Sequence, residues 1–217
     1  MTHAGLFISF EGGEGAGKST QVGLLVRRLQ TAGRDVCLVH EPGGTALGEY
    51  LRTWLKATDR PLTAEAELLL FAAARAELVR RVVLPALEAG AVVVADRFAD
   101  STTAYQGHGR RLPMRQVMSA NRLAIAGCWP DLTVLLDADP AIGLARSQAR
   151  DAASDTGQDS RRFESAELAF HRRVRRGFLR IAEREPKRWL ALDAAAPTEQ
   201  TAAAVWRRVA ALLFAHP

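Results

Sequence analysis

The sequence predicts an α/β fold: a five-stranded parallel sheet with helices on both faces. Three observations carry that expectation. Five short apolar runs rich in β-branched residues recur along the chain, longer helical patterns fill the gaps between them, and each run closes on a polar residue. Such alternation is the pattern of βαβ units, in which a helix returns the chain so that successive strands run parallel. Sheets of this kind bind ligands beyond the carboxyl ends of their strands, where Glu11, His40, Asp96, Asp137 and Asp193 stand.

Taken in order, the strands are expected at Leu6–Glu11, Val36–His40, Ala91–Asp96, Leu132–Asp137 and Arg188–Asp193. Helices are expected over roughly 18–32, 46–56, 64–89, 114–127, 140–149, 164–185 and 198–214, on hydrophobic period rather than on caps. Asp151–Ser160 contains no large apolar residue and reads as a mobile excursion. With 217 residues the chain has room for one well-buried domain, spanning 1–217, with a mobile lid at about 146–163.

Composition narrows the class. Hydrophobic residues at 48% and charged residues at 24% are ordinary for a globular protein, which argues against disorder and against a membrane protein. No stretch approaches the roughly 18 apolar residues that cross a bilayer, and Met1–Gly5 lacks the blocks of a signal peptide, so a cytoplasmic protein is expected. Cys37 and Cys128 are the two cysteines and read as inert thiols rather than as a disulfide.

The net charge of +5 suits nucleic acid or small phosphorylated ligands. Arg172, Arg176 and Arg180 form one column of the 164–185 helix, opposite Phe170, Val174, Phe178 and Ile181. A solvated face explains that column. No aromatic-rich or recognition-helix signature accompanies it, so neither nucleic acid nor a membrane is expected as a partner.

Gly12-Gly13-Glu14-Gly15-Ala16-Gly17-Lys18-Ser19 matches GxxxxGK[ST], directly after an expected strand and directly before an expected helix. The match identifies the sheet as that of a P-loop NTPase. Glycines let the backbone wrap phosphates, so that its N–H groups and the helix N-terminus face an anion. Lys18 is placed for the β- and γ-phosphates, and Ser19 for Mg²⁺. Binding of ATP or GTP follows; an Asn-Lys-x-Asp guanine motif is absent from the sequence, which argues against a GTPase.

Glu41-Pro42-Gly43-Gly44-Thr45 follows the second strand and Asp96-Arg97-Phe98 the third. With Glu11–Thr20, Phe71–Arg75, Ser101–Gly107, Pro130–Thr133 and Leu192–Ala194, these blocks resemble the thymidylate kinases, specifically the bacterial form, in order over nearly the whole chain. The resemblance implies phosphorylation of dTMP by ATP with Mg²⁺, and a homodimer. A kinase for another nucleoside monophosphate is the alternative.

Phe71 and Arg75 are four apart on one helical face, so an aromatic plane and a fork of donors can address one flat base, although core packing also explains Phe71. The resemblance implies that thymine lies on Phe71 with Arg75 at its edge. Arg97 suits an acceptor phosphate, with a structural salt bridge as the alternative. Asp96 is expected at the Mg²⁺ site, or as a residue that only shapes its loop. The resemblance also implies that Ser101, Thr102, Tyr105 and Gln106 read the base and crowd the sugar's 2′ position, and that Glu14 takes the 3′-hydroxyl. Glu41 and Arg52 match positions near the acceptor phosphate and metal, or form a surface ion pair.

His40 stands where many bacterial relatives carry arginine. In one branch of the family an arginine follows the loop carboxylate, but here the residue is Gly15, so the extra cation must come from the lid. Arg150 is the first candidate and Arg146 the second, with Arg162 beyond them. The nucleotide-binding set is thus Gly12, Gly13, Glu14, Gly15, Ala16, Gly17, Lys18, Ser19 and Thr20.

Overall fold

The computed structural model describes residues 4–56, 62–152, 163 and 166–215. Its sheet has the order β2-β3-β1-β4-β5, with β1 Leu6–Glu11, β2 Val36–His40, β3 Val92–Asp96, β4 Leu132–Asp137 and β5 Trp189–Asp193. All four pairings are parallel, and the five strands agree with the sequence to within a residue at each end. β1 lies at the centre, paired along both edges and buried over its whole length.

Alternation along β1 divides the core. Leu6, Ile8 and Phe10 point to one face, where Val22, Leu25 and Leu29 of α1 (Lys18–Thr31) and Val205 and Val209 of α9 (Thr198–Ala215) meet them. Phe7 points to the other face, among Leu78, Val79, Val83, Val93 and Phe98. Phe7, Ile8 and Phe10 are fully buried, which stabilises the fold by about 1.5–3 kcal/mol for each side chain. Cys128 is buried, Cys37 is half-buried, and both are free thiols.

The remaining helices set the rim of the site. α2 is Ala46–Lys56, and the long helix expected over 64–89 is divided into α3 (Ala64–Leu78), a π-helical turn (Val79–Val83) and α4 (Leu84–Glu88). Pro85 explains the turn: it lacks an N–H, and its ring crowds the carbonyl four residues back, so the helix widens there. α5 (Ala99–Thr102) runs into a second π-helical stretch, Thr103–Gly109, in a region outside the helices expected from the sequence. α6 is Met114–Ile125, closed by left-handed Ala126.

α7 (Pro140–Ala152) outlasts its expected end, and α8 (Leu168–Arg184) buries Phe170, Val174 and Phe178 against Leu135 and Tyr105. Most of the expected lid, including Arg161 and Arg162, lies outside the described residues. Its first part is the end of α7. Phe163, from its far end, packs edge-on to the Tyr105 ring at 5.4 Å.

Candidate active site

At the carboxyl ends of β1, β2 and β3 lies a cleft of about 650 Å³. Its floor at one end is the loop after β1. Gly12, Gly15 and Gly17 have φ of 142°, 62° and 88°, a left-handed backbone that favours glycine. Gly15 is further constrained from outside: a Cβ there would lie 2.0 Å from the Gly143 carbonyl oxygen of α7, and a Cβ on Gly143 would lie 2.3 Å from the Glu14 carbonyl oxygen. The loop and α7 therefore touch backbone to backbone.

Lys18, 8% exposed, donates to the carbonyls of Gly12 at 3.2 Å and Gly13 at 2.8 Å. Burial first and Arg97 second push its pKa down to about 8, against the pull of Glu14, Asp96 and Glu11. Ser19 Oγ donates to Asp96 Oδ2 at 2.9 Å, so the two residues expected at the metal are side by side. A hydroxyl and a carboxylate next to a phosphate-binding loop are hard oxygen donors, a set that fits Mg²⁺. Thr20 also lines the cleft.

Arg97 crosses between the two ends of the cleft. It donates through Nη1 to the Gly12 carbonyl at 3.1 Å and to Ser101 Oγ at 3.3 Å, and through Nη2 to Glu14 Oε1 at 3.0 Å. Tyr105 donates its hydroxyl to the same Glu14 oxygen at 2.8 Å. Burial alone would raise the Glu14 pKa, but Arg97, Lys18 and Tyr105 bring it down to about 2. A carboxylate in a loop built for anions is thus turned away from the loop and held ionised. Burial also opposes the charge on Arg97, yet Tyr105, Glu14 and Asp96 hold its pKa above the ordinary arginine range.

Phe71 and Arg75 project from α3 at the other end, with Tyr105 and Phe163 facing them. Phe71 is half-buried, whereas Arg75 is only 1% exposed. Arg75 donates to both oxygens of Glu41 (Nε at 3.0 and 2.9 Å, Nη2 at 2.5 Å), to Asn121 Oδ1 at 2.9 Å and to Thr102 Oγ1 at 3.0 Å. Glu41 is therefore no surface ion pair: it is buried, and burial raises its pKa while Arg75 pulls against the rise. Arg52 Nη1 donates to the Pro42 carbonyl at 2.8 Å, and the residue lines the cleft. His40 also lines it and sits 3.1 Å from Glu49 Oε1.

Arg150 reaches the cleft wall and donates to Ser147 Oγ at 2.8 Å. Arg146 lies outside it and contacts the Ala194 carbonyl at 3.5 Å. Among the described residues, every expected site residue lines the cleft except Arg146, Gly12 and Gly13.

Four participants were not read from the sequence. Glu67 accepts Gln106 Nε2 at 2.9 Å and a two-pronged pair from Arg110 at 3.1 and 2.9 Å. Its position one helical turn before Phe71, which is one turn before Arg75, is a signal that was available. Asn121, fully buried, and Phe163 offered none, because their partners are remote in the chain, and Glu11, also fully buried, was marked only as the polar end of its strand.

The sequence profile described as Thymidylate kinase matches residues 10–205. The chain belongs to the thymidylate kinase family. It is 49% identical over 209 residues to the thymidylate kinase of Solidesulfovibrio magneticus, covering 96% of this chain and 100% of that one. It is 50% identical over 203 residues to the thymidylate kinase of Thermomicrobium roseum, covering 94% and 93%. A crystal structure of thymidylate kinase from Ehrlichia chaffeensis superposes with a TM-score of 0.74 at 32% identity, covering 94% of this chain and 98% of that one. The fold deduced from the alternation of strands and helices is thus the fold of this family.

Proposed function

We propose that the protein transfers the γ-phosphoryl group of ATP to dTMP, giving ADP and dTDP. The observation that carries this reading is one continuous cleft with a phosphate-binding loop at one end, an aromatic and arginine platform at the other, and Arg97 between them. A phosphate oxygen of the acceptor attacks the γ-phosphorus as the bond to the β-phosphate oxygen breaks. Such transfer depends on positioning and charge stabilisation rather than on covalent help from the protein.

Lys18 leaves the loop carbonyls for the β- and γ-phosphates, and the loop N–H groups hold the rest of the triphosphate. Ser19 and Asp96 would hold Mg²⁺, which when bound neutralises charge on the phosphate oxygens. Arg97 orients the acceptor phosphate, with Arg52 and Ser101 beside it. The base lies against Phe71 within reach of Arg75, Thr102 and Gln106, while Tyr105 and Glu14 meet the sugar. Glu41 acts through Arg75, whose fork it fixes. Arg150 supplies the further cation, with Arg146 in a lesser part and 146–163 as the lid.

The reading includes a homodimer working in the cytoplasm. Leu47, Tyr50 and Trp54 leave an apolar stripe exposed on α2, with Leu69 exposed on neighbouring α3, and these support self-association. Among the described residues no helix is long and apolar enough to cross a membrane. ADP release with Mg²⁺ and ATP against dTMP, dUMP, dCMP, dGMP and AMP tests the function: dTMP should be preferred and chelation of Mg²⁺ should stop turnover. Equal or better use of AMP or dGMP would overturn it. Light scattering on the purified chain checks the dimer.

A further inference from the structure

Glu11 ends β1 immediately before the phosphate-binding loop, and it is wholly buried. One of its oxygens, Oε1, accepts the Phe98 N–H at 2.8 Å; the other, Oε2, lies 2.5 Å from Ser101 Oγ. These two contacts bracket Arg97. On one side, Arg97 itself has φ of 72°, in the left-handed region that residues with a Cβ rarely adopt, and the next N–H along is the one that Glu11 takes. On the other side, Ser101 Oγ accepts from Arg97 Nη1 at 3.3 Å. The backbone just after Arg97 is thus one hydrogen bond from this carboxyl, and the Arg97 guanidinium, through Ser101, is two.

A helix start left in water would satisfy the Phe98 N–H without help. Here Phe98 and Glu11 are both fully buried, and a buried donor without a partner is costly, so the carboxyl supports this chain path from β3 into α5. The charged groups around Glu11 are Arg97, Asp100 and Lys18. Asp100 is itself held by Arg188 at 2.6 and 3.1 Å, so it is not available to replace Glu11.

We propose that Glu11 is a positioning residue for the acceptor side of the reaction: by bridging Phe98 N–H and Ser101 Oγ, it fixes the left-handed turn at Arg97 and aims the Arg97 guanidinium into the cleft. The inference rests on the role given above to Arg97. Burial, and then Asp100, push the Glu11 pKa up to about 8, so glutamine is its natural mimic near neutral pH. Glutamine can accept from Phe98 with its oxygen and donate to Ser101 with its amide.

The test uses the full chain with Mg²⁺, ATP and dTMP, varying each substrate for the parent, Glu11→Leu, Glu11→Gln, Arg97→Ala and Glu11→Leu/Arg97→Ala. In Glu11→Leu the KM for dTMP is expected to rise by about tenfold or more while the KM for ATP stays within about twofold. Glu11→Gln is expected to bring the KM for dTMP back to within about threefold of the parent. Once Arg97 is absent, removing Glu11 should add less than about twofold, because both act through one group.

Equal rises in the two KM values, a glutamine variant as impaired as leucine, or independent effects in the double variant would each overturn the positioning role. Should Glu11→Leu fail to fold, Glu11→Asp replaces it: a side chain one methylene shorter does not span both contacts, so its KM for dTMP should exceed that of Glu11→Gln by about fivefold. Equality of the two overturns the proposal. A parent that ignores dTMP overturns the function itself, so the two failures are told apart.

Discussion

Replacing Arg75 by leucine removes the cation from a buried cluster that contains Glu41, Asn121 and Thr102. Arg75 and Glu41 have side chains only 1% and 4% exposed, so water does not take over the role of the lost guanidinium. Breaking such a pair from one side costs about 3–5 kcal/mol, because the remaining carboxyl must stay buried without its partner. For a domain of this size that is a fall in Tm of about 6–20 °C. The loss should depend on pH. Burial already raises the Glu41 pKa, and removing Arg75 raises it further. A carboxyl whose folded pKa lies above its unfolded value stabilises fully below the unfolded value and loses that contribution as pH rises through the folded one. The deficit of Arg75→Leu relative to the parent should therefore be smaller at pH 5 than at pH 8, as measured by urea unfolding at both. Adding Glu41→Leu should recover about 1 kcal/mol or more, since it removes the stranded carboxyl. A deficit below about 1 kcal/mol, or one equal at the two pH values, would refute the reasoning.

With Lys18 at about 8 in the free protein, binding of ATP at pH 8 should take up about half a proton, and binding at pH 6.5 almost none. Calorimetry in buffers of different ionisation heat reads this, and proton release at pH 8 would contradict it. Arg150→Ala should lower kcat by about 10²-fold with little change in dTMP affinity, whereas Arg146→Ala, whose side chain is held outside the cleft, should stay within about twofold. If both stay within about twofold in steady-state assays, Arg162 becomes the next residue to test. Tyr105→Ala should improve use of the ribonucleotide relative to the deoxyribonucleotide by about tenfold, as judged from kcat/KM; an unchanged ratio removes the proposed contact with the sugar.

What was legible in the sequence is what local chemistry dictates. The strands follow from apolar runs of the right length, and the loop from glycines and a lysine at phosphate-binding spacing; that Gly12 and Gly15 also pack tightly against Leu136 and Gly143 has no signal along the chain. The long helix was found but its π-helical turn was not, because Pro85 also fits an N-terminal position and only the continuity of α3 and α4 reveals the strain. The Thr103–Gly109 stretch escaped for a related reason: Arg110 N–H reaches back five residues to the Tyr105 carbonyl at 2.8 Å, a spacing with no propensity signature. Partners far apart in sequence were least visible. Glu41 was read with the acceptor phosphate or a surface ion pair, and its actual partner lies 34 residues away on another element. Asn121 holds Arg75 from 46 residues away, and nothing in its surroundings along the chain marks it.

The contact between Gly15 and Gly143 bears on how this enzyme could have come to differ from its cousins. An arginine after the loop carboxylate is the alternative source of positive charge in one branch of the resemblance, yet any side chain at position 15 would have to enter space filled by the backbone of α7, the helix that carries Arg146 and Arg150. The two solutions are sterically exclusive here. Passage from one to the other is closed to single substitutions, because a Gly15→Arg step first dislodges the helix bearing the existing arginines. With Arg150 as the proposed cation, a lineage with this backbone is committed to that source, and a shift of α7 at Gly143 must precede any change at position 15.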